Sequence, residues 1–253
     1  MDAQRKPPAI LFVLIISALA PLPGQAGAAP VADAQLIDGG LASSGRYAGL
    51  RIRLPGDALT YWRDPGDAGV APNFDFSKSD NLGSAEALFP VPARFDEAGF
   101  QAIGYKHEVV FLLRLSAKDP AGTIGLAVAV DYAVCAQLCI PAHADLRLDL
   151  PPQGVAPPGF AEYFARIPRP LDARETSGFA SVARAGAAQW FLRTTTGVTD
   201  VFVEAPAGVH VESQRTPEGV LLTLDQRPAS DAPPSLRFTL AGAAPVEFSL
   251  DLK

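Results

Sequence analysis

Apolar and polar positions alternate in short runs along most of this chain, and proline or glycine cuts the runs before they reach helical length. In residues 47–54, Ala48, Leu50, Ile52 and Leu54 alternate with Tyr47, Gly49, Arg51 and Arg53, which predicts a strand with one buried face. Pro55-Gly56-Asp57 and Asp64-Pro65-Gly66-Asp67 mark turns on either side of a run at residues 58–63. Residues 109–115, apolar except for Arg114, predict another strand, and the continuous small apolar run at 123–130 predicts a buried one. Residues 144–150 alternate Leu146, Leu148 and Leu150 with Asp145, Arg147 and Asp149. Short strands punctuated by turns in this way predict an all-β fold, a sandwich up to about residue 150.

Residues 151–159 have the composition of a proline-stiffened linker. Residues 160–167 predict one short helix with Phe160, Tyr163, Phe164 and Ile167 on one face, ended by Pro168 and Pro170. Strand patterns resume at 188–193, 198–204, 209–213, 220–224, 236–240 and 246–252. They predict a second, smaller β domain over residues 172–253, after a linker with its short helix at 153–171, and no recognisable chemistry attaches to it.

Composition changes the picture at the two ends of the argument, export and partners. Arg5 and Lys6, an apolar stretch at 9–20 and Ala26-Gly27-Ala28 predict a cleaved secretory signal over residues 1–28. As a helix the apolar stretch would span only about 18 Å, against a hydrocarbon core of roughly 30 Å. No later segment is long and apolar enough to span, so no membrane insertion of the mature chain is expected. The full chain has net charge −6; loss of the leader removes Arg5, Lys6 and Asp2 and leaves 19 basic against 26 acidic side chains, net −7. With no basic run, nucleic acid is excluded as a natural partner. The acidity speaks mainly to solubility.

The chain has two cysteines, Cys135 and Cys139. A five-residue ring removes only about 2 kcal/mol of unfolded-state freedom, against about 4.7 for a ring of 100 residues, so the pair is badly placed as a staple. On an extended strand the two Cα atoms would lie roughly 13 Å apart, and a disulfide needs about 4.4–6.8 Å. The segment must therefore bend or form a helical turn. That puts the pair on a strand-to-strand corner near the surface, with Pro141 discouraging regular continuation. Export favours a disulfide over a structural metal, and two thiols are too few for a tetrathiolate centre.

Tyr61-Trp62-Arg63-Asp64-Pro65-Gly66-Asp67-Ala68-Gly69, Gly104-Tyr105, and the segment from Asp131-Tyr132 through Cys135 to Cys139-Ile140-Pro141-Ala142 complete the pattern. Together they resemble the N-terminal periplasmic domain of the DsbD thiol:disulfide interchange proteins, in the branch that includes copper-sensitivity suppressors. The resemblance implies an immunoglobulin-like sandwich over residues 29–152 that works in the periplasm as a component of a protein-disulfide reductase, without a cofactor. Its cysteine pair would take electrons from a membrane-embedded thiol reductase and pass them to oxidised periplasmic proteins, with Cys139 engaging partners. It further implies a cap at Phe95-Asp96-Glu97-Ala98-Gly99-Phe100, with Phe100 as the shielding ring. Ala98 and Gly99 are smaller than the residues expected at the cap's tip. The family's transmembrane helices and thioredoxin-like domain have no counterpart in this sequence.

The remaining candidates each have two readings. Asp96 and Glu97 could move protons during exchange or simply be solvated. Tyr132, Tyr61 and Trp62 could line the cysteine pocket or fill the sandwich core. His143 could tune a thiolate or join Cys135 and Cys139 as a copper(I) ligand set; otherwise it is an exposed histidine at a strand start. His107 and His210 have no companions in the sequence. Two other functions stay open: a non-catalytic binding module with a structural disulfide, and a copper(I)-binding protein. The second lacks thioether ligands, because the one methionine is Met1.

Overall fold

A computed structural model describes residues 32–42, 45–66, 69–97, 99–226 and 234–252. The leader at residues 1–28, and Ala98 of the cap, lie outside the described residues. The period-2 patterns fold into strands β1 (Asp33–Ala42), β2 (Gly45–Arg53), β3 (Leu59–Gly66), β4 (Asn73–Asp75), β5 (Leu82–Leu88), β6 (Ala93–Glu97), β7 (Phe100–Lys106), β8 (Glu108–Ala117), β9 (Ile124–Cys135) and β10 (Cys139–Leu150). Then come α1 (Ala161–Phe164), β11 (Arg169–Pro170), α2 (Ala173–Phe179), β12 (Ala180–Arg184), β13 (Gln189–Thr194), β14 (Asp200–Glu204), β15 (His210–Thr216), β16 (Gly219–Gln226), β17 (Ser235–Ala241) and β18 (Val246–Asp251).

The first ten strands form an immunoglobulin-like sandwich. One sheet runs β1-β2-β8-β5; the other runs β10-β9-β3-β7-β6, with β4 also paired to β9. Inward residues of alternating strands fill the space between them, among them Leu50, Ile52, Phe111, Leu113, Leu126 and Val128. Burying each such side chain contributes about 1.5–3 kcal/mol. A second sandwich pairs sheet β11-β18-β17-β14 with sheet β12-β13-β16-β15. Its core includes Trp190, Leu192, Leu222, Phe238 and Phe248. Phe202 of β14 and Ala241 of β17 join the core of the first sandwich, so the two share apolar contact. Among the described residues no helix is long and apolar enough to cross a membrane.

Three local expectations change. Tyr47 and Gly49 were expected on an exposed face of β2, and both are buried. The segment expected to act as linker and helix covers that face. The ring of Phe164 meets Tyr47 edge-on at 4.8 Å, and Phe160 packs with Val110 and Leu112. Gly49 makes this possible, because a Cβ there would lie 3.1 Å from the Phe160 ring. The helix over 160–167 contracts to the single turn α1, while an unexpected helix, α2, starts at Asp172. Its side chain accepts from the Glu175 N–H, and the Glu175 side chain accepts in return from the Asp172 N–H. Finally, Pro141 does not interrupt β10, which pairs residue by residue with β9 from Cys139 onward. β10 is the edge of its sheet, where a residue without an N–H is tolerated.

Candidate functional site

The cysteines close the β9–β10 hairpin. Cys135 pairs with Cys139 across the ladder, Ala136-Gln137-Leu138 form the loop, and the disulfide joins Cα atoms 4.0 Å apart. The bend required by the i, i+4 spacing is thus a tight hairpin, stabilised by a hydrogen bond from the Ala136 N–H to the Leu138 carbonyl. The two ends of the bond differ sharply. Cys135 is 1% exposed, packed with Leu59, Tyr61, Ala102 and Ala133, whereas Cys139 is exposed.

This small cluster lies on the face of its sheet opposite the sandwich core, because Ala133 and Cys135 alternate along β9 with the core residues Tyr132 and Val134. Tyr132 therefore points into the sandwich and away from the sulfurs. Its burial raises its pKa. Trp62 likewise belongs to the core.

Tyr61 is the polar centre of the site. Its hydroxyl lies 3.0 Å from Cys135 Sγ, 3.0 Å from Glu97 Oε2 and 3.4 Å from Cys139 Sγ. A phenol has one hydrogen to donate, so carboxylate and sulfur compete for it. Burial, and then the hydrogen bond that the hydroxyl donates to the Glu97 carboxylate, push the Tyr61 pKa up to about 12, which keeps the phenol protonated at neutral pH. Gly69 supports the ring: a Cβ there would lie 2.4 Å from a Tyr61 ring carbon.

Glu97 comes from the expected cap, which is a hairpin: β6 and β7 pair from Ala93 with Gly104 to Glu97 with Phe100. Asp96 accepts from the Gly99 N–H and so fixes the turn. The ring that packs against the cysteine cluster is Phe95, which also carries Lys106 Nζ 4.9 Å above its face. Phe100 is 59% exposed. An open cleft of ≈ 560 Å³ runs along the disulfide, lined by Asp57, Asp96, Glu97, Lys106, Val70 and Leu138 among others. Lys106, Val70 and Leu138 had no sequence signal, since an isolated surface residue carries no pattern.

His143 is not brought to the sulfurs. It lies four positions along the strand from Cys139, roughly 13 Å. Its ring instead sits between Asp131 (Nδ1 to Oδ1, 2.7 Å) and Asp145 (Nε2 to Oδ2, 3.1 Å), and hydrogen bonding to these carboxylates raises its pKa. The copper(I) set of Cys135, Cys139 and His143 therefore does not assemble. His210, without companions in the sequence, gains Glu212 and Asp225: their ligand atoms all lie within 4.8 Å of one another on an exposed face.

Residues 28–151 match the family described as thiol:disulfide interchange protein DsbD, N-terminal. The N-terminal periplasmic domain of ScsB from Proteus mirabilis has the same fold: TM-score 0.61 at 20% identity, over 87% of this chain and 91% of that one. The reduced N-terminal domain of DsbD from Neisseria meningitidis aligns at 18% identity and TM-score 0.28, over 48% of this chain and 86% of that one. No curated protein matches.

Proposed function

Since the chain carries a DsbD N-terminal-like domain over residues 28–151, we propose that this domain is a periplasmic thiol-disulfide interchange module that passes two electrons through Cys135 and Cys139. The observation that carries the reading is the asymmetry of the pair. One sulfur is exposed at a cleft; the other is buried and hydrogen-bonded to Tyr61. A bridge that served only stability would need neither feature.

Each half of the cycle follows from that asymmetry. A thiolate of the electron donor, a membrane-embedded thiol reductase, attacks exposed Cys139 Sγ. The new bond joins donor to Cys139, the Cys135–Cys139 bond breaks, and Cys135 leaves as a thiolate beside the Tyr61 hydroxyl. The donor's second thiolate attacks its own sulfur in this mixed disulfide, leaving the donor oxidised and both cysteines reduced after uptake of two protons. In the second half the Cys139 thiolate attacks a disulfide in an oxidised periplasmic protein, and Cys135 resolves the mixed disulfide. The client leaves reduced and the Cys135–Cys139 bond is restored. Asp96 and Glu97 flank the cleft, and Glu97, through Tyr61, is the carboxylate within reach of the departing sulfur.

Single-cysteine variants test the assignment. Cys135→Ser keeps the attacking sulfur and removes the resolving one, so it is expected to accumulate mixed disulfides with periplasmic proteins. Cys139→Ser is expected to trap few or none. Failure of both variants to trap any partner, read by non-reducing electrophoresis, would count against exchange.

A further inference from the structure

One strand of the second sandwich grips both elements that carry Tyr61, which touches the sulfurs, and Glu97, which accepts from Tyr61. On β3, two residues after Tyr61, Arg63 donates from Nε and Nη2 to the Glu204 carboxylate at 2.8 and 2.7 Å. Its Nη2 also reaches Glu247 Oε2 at 2.9 Å and Thr239 Oγ1 at 3.3 Å. On β6, three residues before Glu97, Arg94 donates to Asp200 Oδ2 at 3.1 Å and to the Val201 carbonyl at 2.7 Å. Between the two arginines lies Phe202, with its ring 5.6 Å from Trp62 and 4.9 Å from the Arg94 guanidinium. Asp200, Val201, Phe202 and Glu204 all belong to β14.

β3 and β6 flank β7 in their sheet, and β14 ties to both flanking strands. The arginine contacts are charge-assisted, one of them bidentate, and the partners are only about a fifth exposed (19% and 17% for Arg63 with Glu204, 22% and 20% for Arg94 with Asp200). They are stiffer than surface ion pairs, whose side chains wander. Tyr61 and Glu97, held on those strands, are the groups whose separation from Cys135 Sγ decides where the phenol hydrogen goes.

We propose that the second sandwich is a positioning element for the redox pair, acting through Arg63 and Arg94 to hold Tyr61 against Cys135 and Glu97 against Tyr61. The inference rests on the exchange reading above and assigns the second sandwich a part in it. Hydrogen bonding from Tyr61 favours a thiolate more than a disulfide sulfur. Loosening the clamp therefore disfavours the reduced form.

The test uses the full mature chain and two variants that touch only β14 and β18: Glu204→Gln with Glu247→Gln, and Asp200→Asn. Glu108→Gln, which breaks the exposed Arg53 pair away from the clamp, is the control. Each is equilibrated with glutathione, its thiols are counted, and its tyrosinate absorbance is titrated. We expect the equilibrium constant for reduction to fall at least threefold in the clamp variants, equivalent to about 14 mV. Tyr61, identified in the titration by its loss in Tyr61→Phe, should titrate at lower pH, with the control unchanged. If the double variant fails to fold, Asp200→Asn alone carries the test through the Arg94 side. Folded clamp variants with wild-type equilibrium constants and tyrosine titration would overturn the positioning role while leaving exchange intact. A wild-type pair too stable for any exchange protein would instead overturn the reading on which it rests.

Discussion

At the residue scale the chemistry turns on one hydrogen. Tyr61 stands between a carboxylate and the buried sulfur, and it can satisfy one of them fully at a time. When Cys135 departs as a thiolate, it accepts that hydrogen far better than the disulfide sulfur did, and a hydrogen bond to a charged group is worth roughly 1.5–3 kcal/mol. Tyr61→Phe should therefore slow reduction of the pair by about tenfold to a hundredfold in stopped-flow exchange with a small dithiol. An unchanged rate would remove Tyr61 from the mechanism. The same residue sets a pH dependence. Burial, with Glu97, raises its folded pKa to about 12, above the ordinary phenol value near 10. The stability this shift reflects is thus fully present below about pH 10 and is lost as pH rises through 12. Glu97→Gln should bring that loss to lower pH. Tyr61 entered the sequence reading as one of three aromatic candidates. Strand alternation alone could not rank them, because the turns after Arg63 obscure which face each residue takes.

At the element scale, patterns with a period were legible and contacts across faces were not. The alternation in residues 144–150 and the apolar run at 123–130 both lie in strands as read. β9 continues to Cys135, and β10 begins at Cys139. The spacing of the cysteines required a bend, yet the same spacing permits a helical turn. The hairpin was decided by the strands on either side. Phe160 was visible as part of an apolar face, but the surface it covers lies more than a hundred residues earlier, at Tyr47 and Gly49. Residues that look half-exposed in β2 are buried for that reason. The helix α2 did have a local signal, the Asp172-x-x-Glu175 capping box. Where the resemblance implied a cap, the structure has a hairpin whose Phe95 packs against the cysteine cluster; the order of aromatic residues in a two-strand hairpin does not say which one faces inward.

At the scale of the whole molecule, the second sandwich bears on the site instead of trailing behind it. Phe202 enters the first core, and Arg63 and Arg94 close two half-buried ion-pair clusters across the boundary. Breaking such pairs leaves charges without partners in a partly desolvated place, which couples the stability of the two halves. The two tryptophans of the chain, Trp62 and Trp190, sit one in each core and can report on each half separately. Denaturant unfolding of Trp62→Phe and Trp190→Phe, each compared by fluorescence and circular dichroism, should give coincident midpoints by both probes. A fluorescence midpoint well separated from the circular dichroism midpoint in either variant would mean that the sandwiches unfold independently. None of this coupling was legible beforehand: arginine-carboxylate pairs separated by 141 and 106 positions leave no pattern in a sequence.

The most direct measurement is the reduction potential of the Cys135/Cys139 pair in the mature protein, obtained by equilibration in thiol/disulfide buffers and mass counting of alkylated thiols. The exchange account predicts a value between roughly −120 and −270 mV, the span of known exchange proteins; a value below about −300 mV would mark a structural bridge and contradict it.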